Sequence, residues 1–411
     1  MHLLAMGMNY RPERIGIGPL TGEMCEYLVS QGHRVSVATA FPHYPAWKIQ
    51  EGYRGRLFMR ENINGVEVHR SFVHVPGKPN AFQRVLYDSS LSLSAFLSGL
   101  SVGQVDLILG ILPPIQLGVM AGLLSMLKRA SLVLLVQDLA LETALAVGML
   151  KNPLALKLGR AMEKMAYRRA EKIIVICRGF ADNLRAKGVP GSKIVILHDW
   201  VDVNFIRPLE RNNAFRQEHQ IGEEQFLVLH AGNMGAKQGL MNVVEAAGQV
   251  RDGNIQFILV GDGSQKSSLM AEAERRKLDN IKFLPLQPHP MLPHMLSAAD
   301  VLLLNQGQEI VEAVIPSKLL TYMAAGRPII AAVHPDSEAA RLVREADCGL
   351  VVSPARAEEL VRAVNHIKGN PHLQERFGRK ARAFAEQNFA RHLLLERYEK
   401  LLVELASRKD R

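Results

Sequence analysis

The sequence predicts an α/β protein with two domains, each built on a parallel β-sheet. The chain has 411 residues, of which 48% are hydrophobic and 22% are charged, and this length and composition fit two globular domains. Short apolar runs alternate with helical patterns in both halves, as expected for βαβ units. We place the first domain at residues 1–205 and the second at residues 206–389.

The net charge of +10 is concentrated in the first half. Residues 1–205 carry 23 Lys and Arg against 15 Asp and Glu, a balance of +8, and residues 206–411 carry 27 against 25, a balance of +2. A basic half indicates an anionic partner surface, either a membrane or a nucleic acid. Nucleic acid is disfavoured because only 6% of residues are aromatic and no recognised binding motif is present.

Cysteine usage and the N-terminus predict a cytoplasmic protein. Cys25, Cys177 and Cys348 are far apart and odd in number, which is typical of reduced core residues. The N-terminus lacks a basic leader with an apolar run and a cleavage site, and no apolar run reaches transmembrane length. We therefore expect neither export nor a membrane span.

The first half opens with a βαβ unit. The pattern predicts a strand at residues 2–8, a helix ending near residue 31 and a strand at residues 34–40. The loop before the helix carries Gly16 and Gly18, which let a ligand approach the backbone closely. A dinucleotide fingerprint would need glycines sooner after the strand and an acid after the second strand. Both are lacking, so a nicotinamide oxidoreductase is only a runner-up.

Two segments of the first half are candidates for binding an acceptor. Residues 41–84 are polar and rich in Pro, Gly and aromatic residues, including Tyr44 and Trp47, and predict a long ordered excursion beside a ligand cleft. Asp138 and Glu142 follow a buried strand, at the sheet edge where parallel sheets bind substrates. Each of these two acids is explained equally well as a helix cap or a first-turn acid.

A helix predicted at residues 154–172 is basic and amphipathic. One stripe contains Lys157, Arg160, Lys164 and Arg168, and beside it lie Leu154, Leu158, Met162 and Met165. Such a helix can lie on an anionic membrane surface. The alternative interpretation is an ordinary solvated face.

The second half places two glycine loops at equivalent edges of its predicted sheet. Gly232 and Asn233 begin a loop that continues to Lys237, and Gly261 and Gly263 follow the next strand. These loops leave backbone N–H groups accessible to a ligand. The pattern therefore favours phosphate binding at this edge.

A helix start at Pro316 adds to the same prediction. Proline suits the first turn because its missing N–H would go unused there. The unpaired N–H groups, the Ser317 hydroxyl and the Lys318 ammonium form a ready phosphate site. We predict that Lys237 and Lys318 each contact a diphosphate oxygen; the alternative is an ordinary cap with a solvated lysine.

A series of motifs runs through nearly the whole chain in a fixed order. They are Gly16-Ile-Gly18, Gly22-Glu-Met24, His43-Tyr-Pro45, Gln137-Asp138, Asp199-Trp200, Gly232-Asn233, Lys237-Gln-Gly239, Gly261-Asp-Gly263, Leu284-Pro-Leu-Gln287 and Pro316-Ser-Lys318. This series resembles the GT-B glycosyltransferases of family 4. Within that family it looks most like the WcaI/WbuB-like enzymes of bacterial exopolysaccharide, lipopolysaccharide and O-antigen assembly.

The resemblance implies two Rossmann-like domains facing across a cleft, with the donor on the second domain and the acceptor on the first. It also implies that the last helix, residues 390–411, crosses back to the first domain. The implied donor site comprises Gly16, Gly18, Gly232, Asn233, Gly261, Gly263, Leu286, Glu309, Glu312, Ser317 and Leu319. Tyr44, Trp47 and Glu142 form the implied acceptor site, and Asp138 joins the two lysines as a catalytic candidate.

The chain departs from the family at its Glu-x7-Glu motif. Ala313 and Thr321 stand at the two motif positions, so the second glutamate, which contacts the ribose in the family, is missing. Glu309 or Glu312 would replace the first glutamate, which contacts the sugar. Asn233 stands where an arginine is common, so the two lysines would neutralise more of the diphosphate charge.

The implied activity is a retaining, metal-independent sugar transfer by front-face attack, without a cofactor. Positive charge and helix N–H groups would neutralise the leaving diphosphate, and the sequence contains no Asp-x-Asp metal motif. The implied donor is a UDP- or GDP-linked fucosyl or N-acetylated deoxyhexose unit, and the acceptor is a glycan or a polyprenyl-diphosphate-linked glycan. The enzyme would act at the inner face of the cell membrane. The alternatives are a nucleotide-sugar 2-epimerase on the same fold and a non-catalytic two-lobed sugar-binding protein.

Overall fold

The computed structural model describes residues 1–13, 16–44, 46–77, 81–146, 152–308 and 315–407. The chain divides into two compact units, one formed by Met1–His198 with Leu395–Arg411 and the other by Asp199–Leu394. Among the described helices, none is both long enough and apolar enough to cross a membrane.

The first unit is a mostly parallel sheet covered by helices. Its strands are β1 (His2–Met6), β2 (Arg34–Ala40), β3 (Phe58–Ile63), β4 (Val66–Ser71), β5 (Leu107–Leu112), β6 (Ser131–Val136), β7 (Lys172–Val175) and β8 (Ile194–Ile196). Its helices are α1 (Gly18–Ser30), α2 (Ala81–Ser101), α3 (Ile115–Leu127), α4 (Ala140–Ala146), α5 (Pro153–Arg169) and α6 (Arg178–Ala186). The strand order is β3-β4-β2-β1-β5-β6-β7-β8, and β1 and β5 are fully buried because helices cover both sheet faces.

The prediction of a long excursion at residues 41–84 was wrong for its middle part. β3 and β4 form an antiparallel hairpin there, and β4 continues the sheet in parallel with β2. Asn64 and Gly65 connect the two strands, both with positive φ, which is the geometry of a two-residue hairpin turn. The Asn-Gly pair is therefore the sequence signal for this hairpin.

The second unit is a parallel sheet between helices. Its strands are β9 (Phe226–Ala231), β10 (Ile255–Val260), β11 (Ile281–Leu284), β12 (Val301–Asn305), β13 (Ile329–Ala332) and β14 (Gly349–Val352). Its helices are α7 (Ala214–Glu218), α8 (Met241–Gln249), α9 (Lys266–Arg275), α10 (Leu292–Ala298), α11 (Ser317–Ala324), α12 (Glu338–Glu345), α13 (Ala357–Lys368) and α14 (Pro371–Asn388). The strand order is β11-β10-β9-β12-β13-β14. The prediction of two parallel-sheet α/β units is thus confirmed.

The last helix, α15 (Arg391–Ser407), has residues in both units. From Leu395 onward it belongs to the first unit. There the Glu399 carboxylate accepts a hydrogen bond from the Tyr27 hydroxyl at 3.1 Å and lies 3.0 Å from His33 Nε2.

Candidate functional site

Two glycine loops of the second unit pack against each other at the carboxyl ends of β9 and β10. The Gly232 N–H donates to the Val260 carbonyl and the Met234 N–H to the Asp262 carbonyl, both at 2.8 Å. Gly261 has φ +147°, and a Cβ there would lie 1.9 Å from the Gly232 carbonyl oxygen. Any side chain at Gly261 would therefore push the loops apart. The backbone forms a compact surface at the sheet edge where α/β proteins bind ligands.

Lys318 places its ammonium on this surface. It is the second residue of α11, and its Nζ donates to Gln238 Oε1 at 2.9 Å. A Cβ on Gly232 would lie only 3.3 Å from the same nitrogen. Gln238 is uncharged, so this hydrogen bond orients the ammonium without neutralising its charge. The sequence analysis passed over Gln238, although it directly follows Lys237.

A buried tyrosine fixes α11 against the end of β9. The Tyr322 hydroxyl donates to the Ala231 carbonyl at 3.2 Å and accepts from the Ala231 N–H at 2.9 Å. Tyr322 lies one helical turn after Lys318, so the same contact positions the lysine. Beside it, burial and then the positive charge of Lys318 lower the pKa of His230 to about 3. The His230 imidazole is therefore neutral at neutral pH, and the positive charge resides on Lys318.

Lys237 lies in the short turn that holds Gln238. Asn305 Nδ2 donates to the Gln238 carbonyl at 2.7 Å, and the Gly307 N–H donates to the Lys237 carbonyl at 2.8 Å. The Lys237 side chain is exposed, and within the described ranges it has no ion pair or hydrogen bond. Lys266, at the start of α9, donates to the Gly261 carbonyl at 2.9 Å and was missed by the sequence analysis. Lys318 of α11 and Lys266 of α9 thus lie against the two glycine loops, and Lys237 lies in the adjoining turn.

The remaining predicted donor residues have different surroundings. A Cβ at Gly263 would lie 2.6 Å from Asn233 Oδ1, so Asn233 packs over that loop. Leu286 and Ser317 are exposed. The prediction that Leu319 contacts the donor is corrected, because its side chain is fully buried and its N–H donates to the Pro316 carbonyl. Glu309 and Glu312 lie outside the described residues.

In the first unit, a buried carboxylate organises the predicted acceptor loop. Glu13 Oε1 accepts from the N–H groups of His43 and Tyr44 at 2.8 and 2.7 Å, and its Oε2 accepts from Asn9 Nδ2 at 2.8 Å. Gly16 has φ +76° and faces the Tyr44 ring, and Gly18 begins α1. Glu13 therefore holds together the loops that contain Gly16 and Tyr44.

Aromatic rings and one arginine gather beside this carboxylate. The rings of Trp47 and Tyr87 lie 5.4 Å apart, and the Arg84 guanidinium lies 5.4 Å from each ring centre. The Tyr87 hydroxyl lies 2.8 Å from His43 Nε2. Burial raises the pKa of the neighbouring Asp88 to about 6, and the positive charge of Arg84 partly offsets this rise. Partly exposed aromatic faces beside hydrogen-bonding groups can bind sugar rings.

The two predicted acids after β6 have different surroundings. Asp138 is partly exposed and accepts a hydrogen bond from the Thr143 hydroxyl at 3.2 Å. The prediction that Glu142 contacts the acceptor is also corrected, because its carboxylate pairs with Lys187 at 2.7 Å and Lys187 also contacts Glu163. Glu142 therefore makes a structural ion pair, and Asp138 remains the candidate for an acceptor hydroxyl.

Both units match known protein families. Residues 211–384 match the family described as "Glycosyl transferases group 1", and residues 16–200 match the "Glycosyl transferase 4-like domain". The chain is 31% identical over 406 residues to the putative colanic acid biosynthesis glycosyl transferase WcaI of Escherichia coli (strain K12), covering 97% of this chain and 98% of that protein.

Solved structures match over nearly the full length. Sucrose-phosphate synthase from Thermosynechococcus elongatus has a TM-score of 0.73 at 15% identity, covering 99% of both chains. The Anabaena protein HepE, solved in complex with UDP, has a TM-score of 0.71 at 16% identity, covering 98% of this chain and 100% of that one. At these identities the likeness concerns the fold.

Proposed function

Because the chain belongs to the group 1 glycosyltransferases, with a family 4-like first domain and the GT-B fold, we propose that it transfers a sugar from a nucleoside-diphosphate sugar to a glycan in exopolysaccharide or lipopolysaccharide assembly. The family resemblance of the sequence is confirmed, and the chain is a glycosyltransferase. The proposed donor is UDP- or GDP-linked and carries a fucosyl or N-acetylated deoxyhexose unit, as the resemblance implies.

The single observation that carries this proposal is the position of the Lys318 ammonium on the paired glycine loops. A leaving diphosphate gains negative charge as the anomeric C–O bond breaks, and preorganised donors stabilise that charge most strongly. Lys318, oriented by Gln238, supplies positive charge at this surface, and we propose that Lys237, which is exposed in the adjoining turn, adds to it. We therefore propose metal-independent transfer with retention of configuration, in which these lysines neutralise the leaving group.

The proposed acceptor site lies in the first unit, around Tyr44 and Trp47. Their rings lie 6.5 Å apart at nearly right angles, and Glu13 fixes the backbone of Tyr44. This arrangement offers a bound sugar ring an apolar aromatic surface with polar groups nearby. Asp138 is proposed to accept a hydrogen bond from the attacking hydroxyl. The proposed acceptors are a glycan and a polyprenyl-diphosphate-linked glycan.

The test is a panel of UDP- and GDP-sugars with glycan acceptors, assayed with and without EDTA. The proposal predicts transfer that EDTA does not abolish, a product with the anomeric configuration of the donor, and a loss of about 10²–10³ in rate for Lys318→Ala. Lys237→Ala should also lose rate while staying folded. Conversion of the sugar to its 2-epimer without an acceptor would indicate the epimerase. Binding of the donor without turnover would indicate the sugar-binding protein. Full activity in both variants would overturn the assigned roles.

We also propose that the first unit docks on the inner face of the cell membrane. α2 packs on α3 and α3 on α5, and these helices expose large apolar side chains. They are Phe82, Val85, Leu86, Leu93, Leu97, Leu100, Leu123, Met126, Leu127, Leu154, Leu158 and Met165. The basic stripe of α5 borders this apolar face, a combination that suits an anionic lipid surface.

Flotation with anionic vesicles tests the docking proposal. The apolar-face variant carries F82S, L97S and L158S. The control variant removes three exposed apolar side chains elsewhere and carries L57S, M270S and V403S. The proposal predicts that the first variant loses vesicle binding while the control keeps it, and equal binding by both would contradict it.

A further inference from the structure

A basic groove lies in the first unit, between α5 and the end of α6. Its volume is about 820 Å³. One wall is the second half of α5, and the other is the segment from Lys187 to Pro190. This segment leads into β8, which places the groove towards the amino-terminal edge of the parallel sheet. Tyr44 and Asp138 follow the carboxyl ends of β2 and β6, at the opposite edge, so the groove is separate from the proposed acceptor site.

Three cations of α5 line the groove without an internal counter-charge. Arg160, Lys164 and Arg168, called here the groove cations, follow one another at intervals of four residues and share one helix face. All three are exposed, and in the part of the chain that the structure describes none of their side chains has an ion pair or hydrogen bond. Like charges at this spacing destabilise a helix. An anion in the groove would remove that repulsion.

The other charged groups of the groove already have partners. Lys187 Nζ lies 2.9 Å from Glu163, the carboxylate that lines the groove, and 2.7 Å from Glu142. Lys193 Nζ donates to the carbonyls of Arg168 and Ala170 at 2.8 and 2.7 Å, which fixes the end of α5. Lys187 is one cation against two carboxylates, so this cluster keeps one negative charge against the three groove cations, and the groove remains positive overall. Consistent with a positive local field, the pKa of Lys193 is lowered by burial and then by Arg169 and Arg168.

An unsatisfied polar atom gives a second, independent indication of a ligand. Asn183 lines the groove from α6, and its side-chain Oδ1 is buried without a hydrogen-bond partner among the described residues. A buried polar atom without a partner is unfavourable, so native proteins usually satisfy it. A protonated phosphate oxygen would donate to Oδ1, and in the flipped amide orientation Nδ2 would donate to an ionised oxygen.

From these observations we propose that the groove binds a phosphate group, as a phosphomonoester or a diphosphate. Arginine binds two phosphate oxygens at once, and lysine adds a point charge. Neighbouring groove cations lie about 6 Å apart along the helix, so a diphosphate contacts two of them together. A lipid headgroup and a soluble phosphate compound both supply this chemistry. The groove is an anion site distinct from the glycine loops of the second unit.

The test compares two variants with the same loss of charge. The groove variant carries R160Q, K164Q and R168Q. The control variant carries R251Q, K380Q and K400Q, which removes three exposed cations outside the groove. Both are made in the full chain that also carries Lys237→Ala and Lys318→Ala, so that neither lysine of the proposed donor site contributes to diphosphate binding. Titration calorimetry with inorganic diphosphate should show at least about tenfold weaker binding for the groove variant and less than about twofold for the control.

Vesicles then identify the source of the phosphate. Phosphatidic acid vesicles present a phosphomonoester, and phosphatidylglycerol vesicles of equal surface charge do not. A preference for phosphatidic acid that the groove variant loses would support the proposal with a lipid headgroup as ligand. Equal binding to both vesicles, with diphosphate binding that depends on the groove, would support it with a soluble phosphate compound. No diphosphate binding by the parent chain, or equal weakening in both variants, would overturn it. Failure of the proposed sugar transfer would appear separately, in the transfer assay.

Discussion

The hydroxyl of Tyr322 connects the donor surface to the core and can be removed without changing the shape of the ring. It contacts both the N–H and the carbonyl of Ala231, at 2.9 and 3.2 Å, and the side chain is buried. Tyr322→Phe leaves these backbone groups without that partner, which costs about 1–3 kcal/mol for a buried group. Ala231 is only partly buried, so we expect about 1–2 kcal/mol of unfolding free energy to be lost.

The chain supplies a matched control for this change. Tyr10 is also buried, but its hydroxyl has no hydrogen-bond partner within the described ranges. Tyr10→Phe makes the same chemical change and removes an unsatisfied group, so the free energy of unfolding should stay the same or rise by up to about 1 kcal/mol. Comparing the two variants isolates the contribution of the hydrogen bonds from that of the ring.

Urea unfolding and donor kinetics measure both consequences. Because α11 also carries Lys318, Tyr322→Phe should raise the KM for the sugar donor about tenfold, equivalent to about 1.4 kcal/mol. Tyr10→Phe should leave this KM unchanged. The reasoning is refuted if the two variants have the same unfolding midpoint and the same donor KM.

Three further changes test other parts of the structure. Gly261→Ala should lower the free energy of unfolding by about 3 kcal/mol or more, because its Cβ would lie 1.9 Å from a carbonyl oxygen. The control Gly253→Ala has open space around it and should change the free energy of unfolding by less than about 0.5 kcal/mol. Equal urea midpoints for the two variants would contradict this. The pKa of Asp88 is raised from 3.8 to about 6, so this carboxyl contributes most to stability below pH 4 and its contribution is lost as pH rises through 6. At pH 8, Asp88→Asn should therefore have a free energy of unfolding about 1–3 kcal/mol higher than wild type, measured by urea unfolding. This difference should be smaller at pH 4.5, and a difference that does not change with pH would contradict the prediction. Trp47→Ala should raise the acceptor KM about tenfold and leave donor affinity unchanged, and an effect on the donor alone would remove Trp47 from the acceptor site.

Local sequence chemistry predicted the parts of the site that depend on neighbouring residues. Gly232, Gly261 and Gly263 all have positive φ, which is why glycine after a strand is a reliable signal. The helix predicted to start at Pro316 begins one residue later, at Ser317, with Pro316 in extended geometry as its N-cap. The hairpin at β3 and β4 carried an equally local signal in Asn64-Gly65 that the composition of the surrounding loop obscured.

Contacts between distant parts of the chain could not be predicted in this way. Gln238 meets Lys318 across 80 residues, and Glu13 meets Tyr44 across 31. Nothing in the local pattern says which polar side chain will face which partner. Glu142 illustrates this, because it follows a parallel strand as a substrate-binding acid would. In the structure it pairs instead with Lys187, at the end of α6. Sequence periodicity indicates which face is buried, and the tertiary structure decides which polar groups meet.

The most direct test of the central claim is the affinity gained from the second phosphate of the nucleotide. Titration calorimetry would compare the nucleoside diphosphate with its monophosphate, for wild type and for Lys318→Ala. A charge-assisted contact contributes about 1.5–3 kcal/mol, so wild type should prefer the diphosphate by about 10- to 150-fold. Lys318→Ala should reduce this preference at least about fivefold, with Lys237 and the loop N–H groups supplying what remains, and should keep its affinity for the monophosphate. The same preference in both proteins would contradict the role of Lys318 in holding the diphosphate.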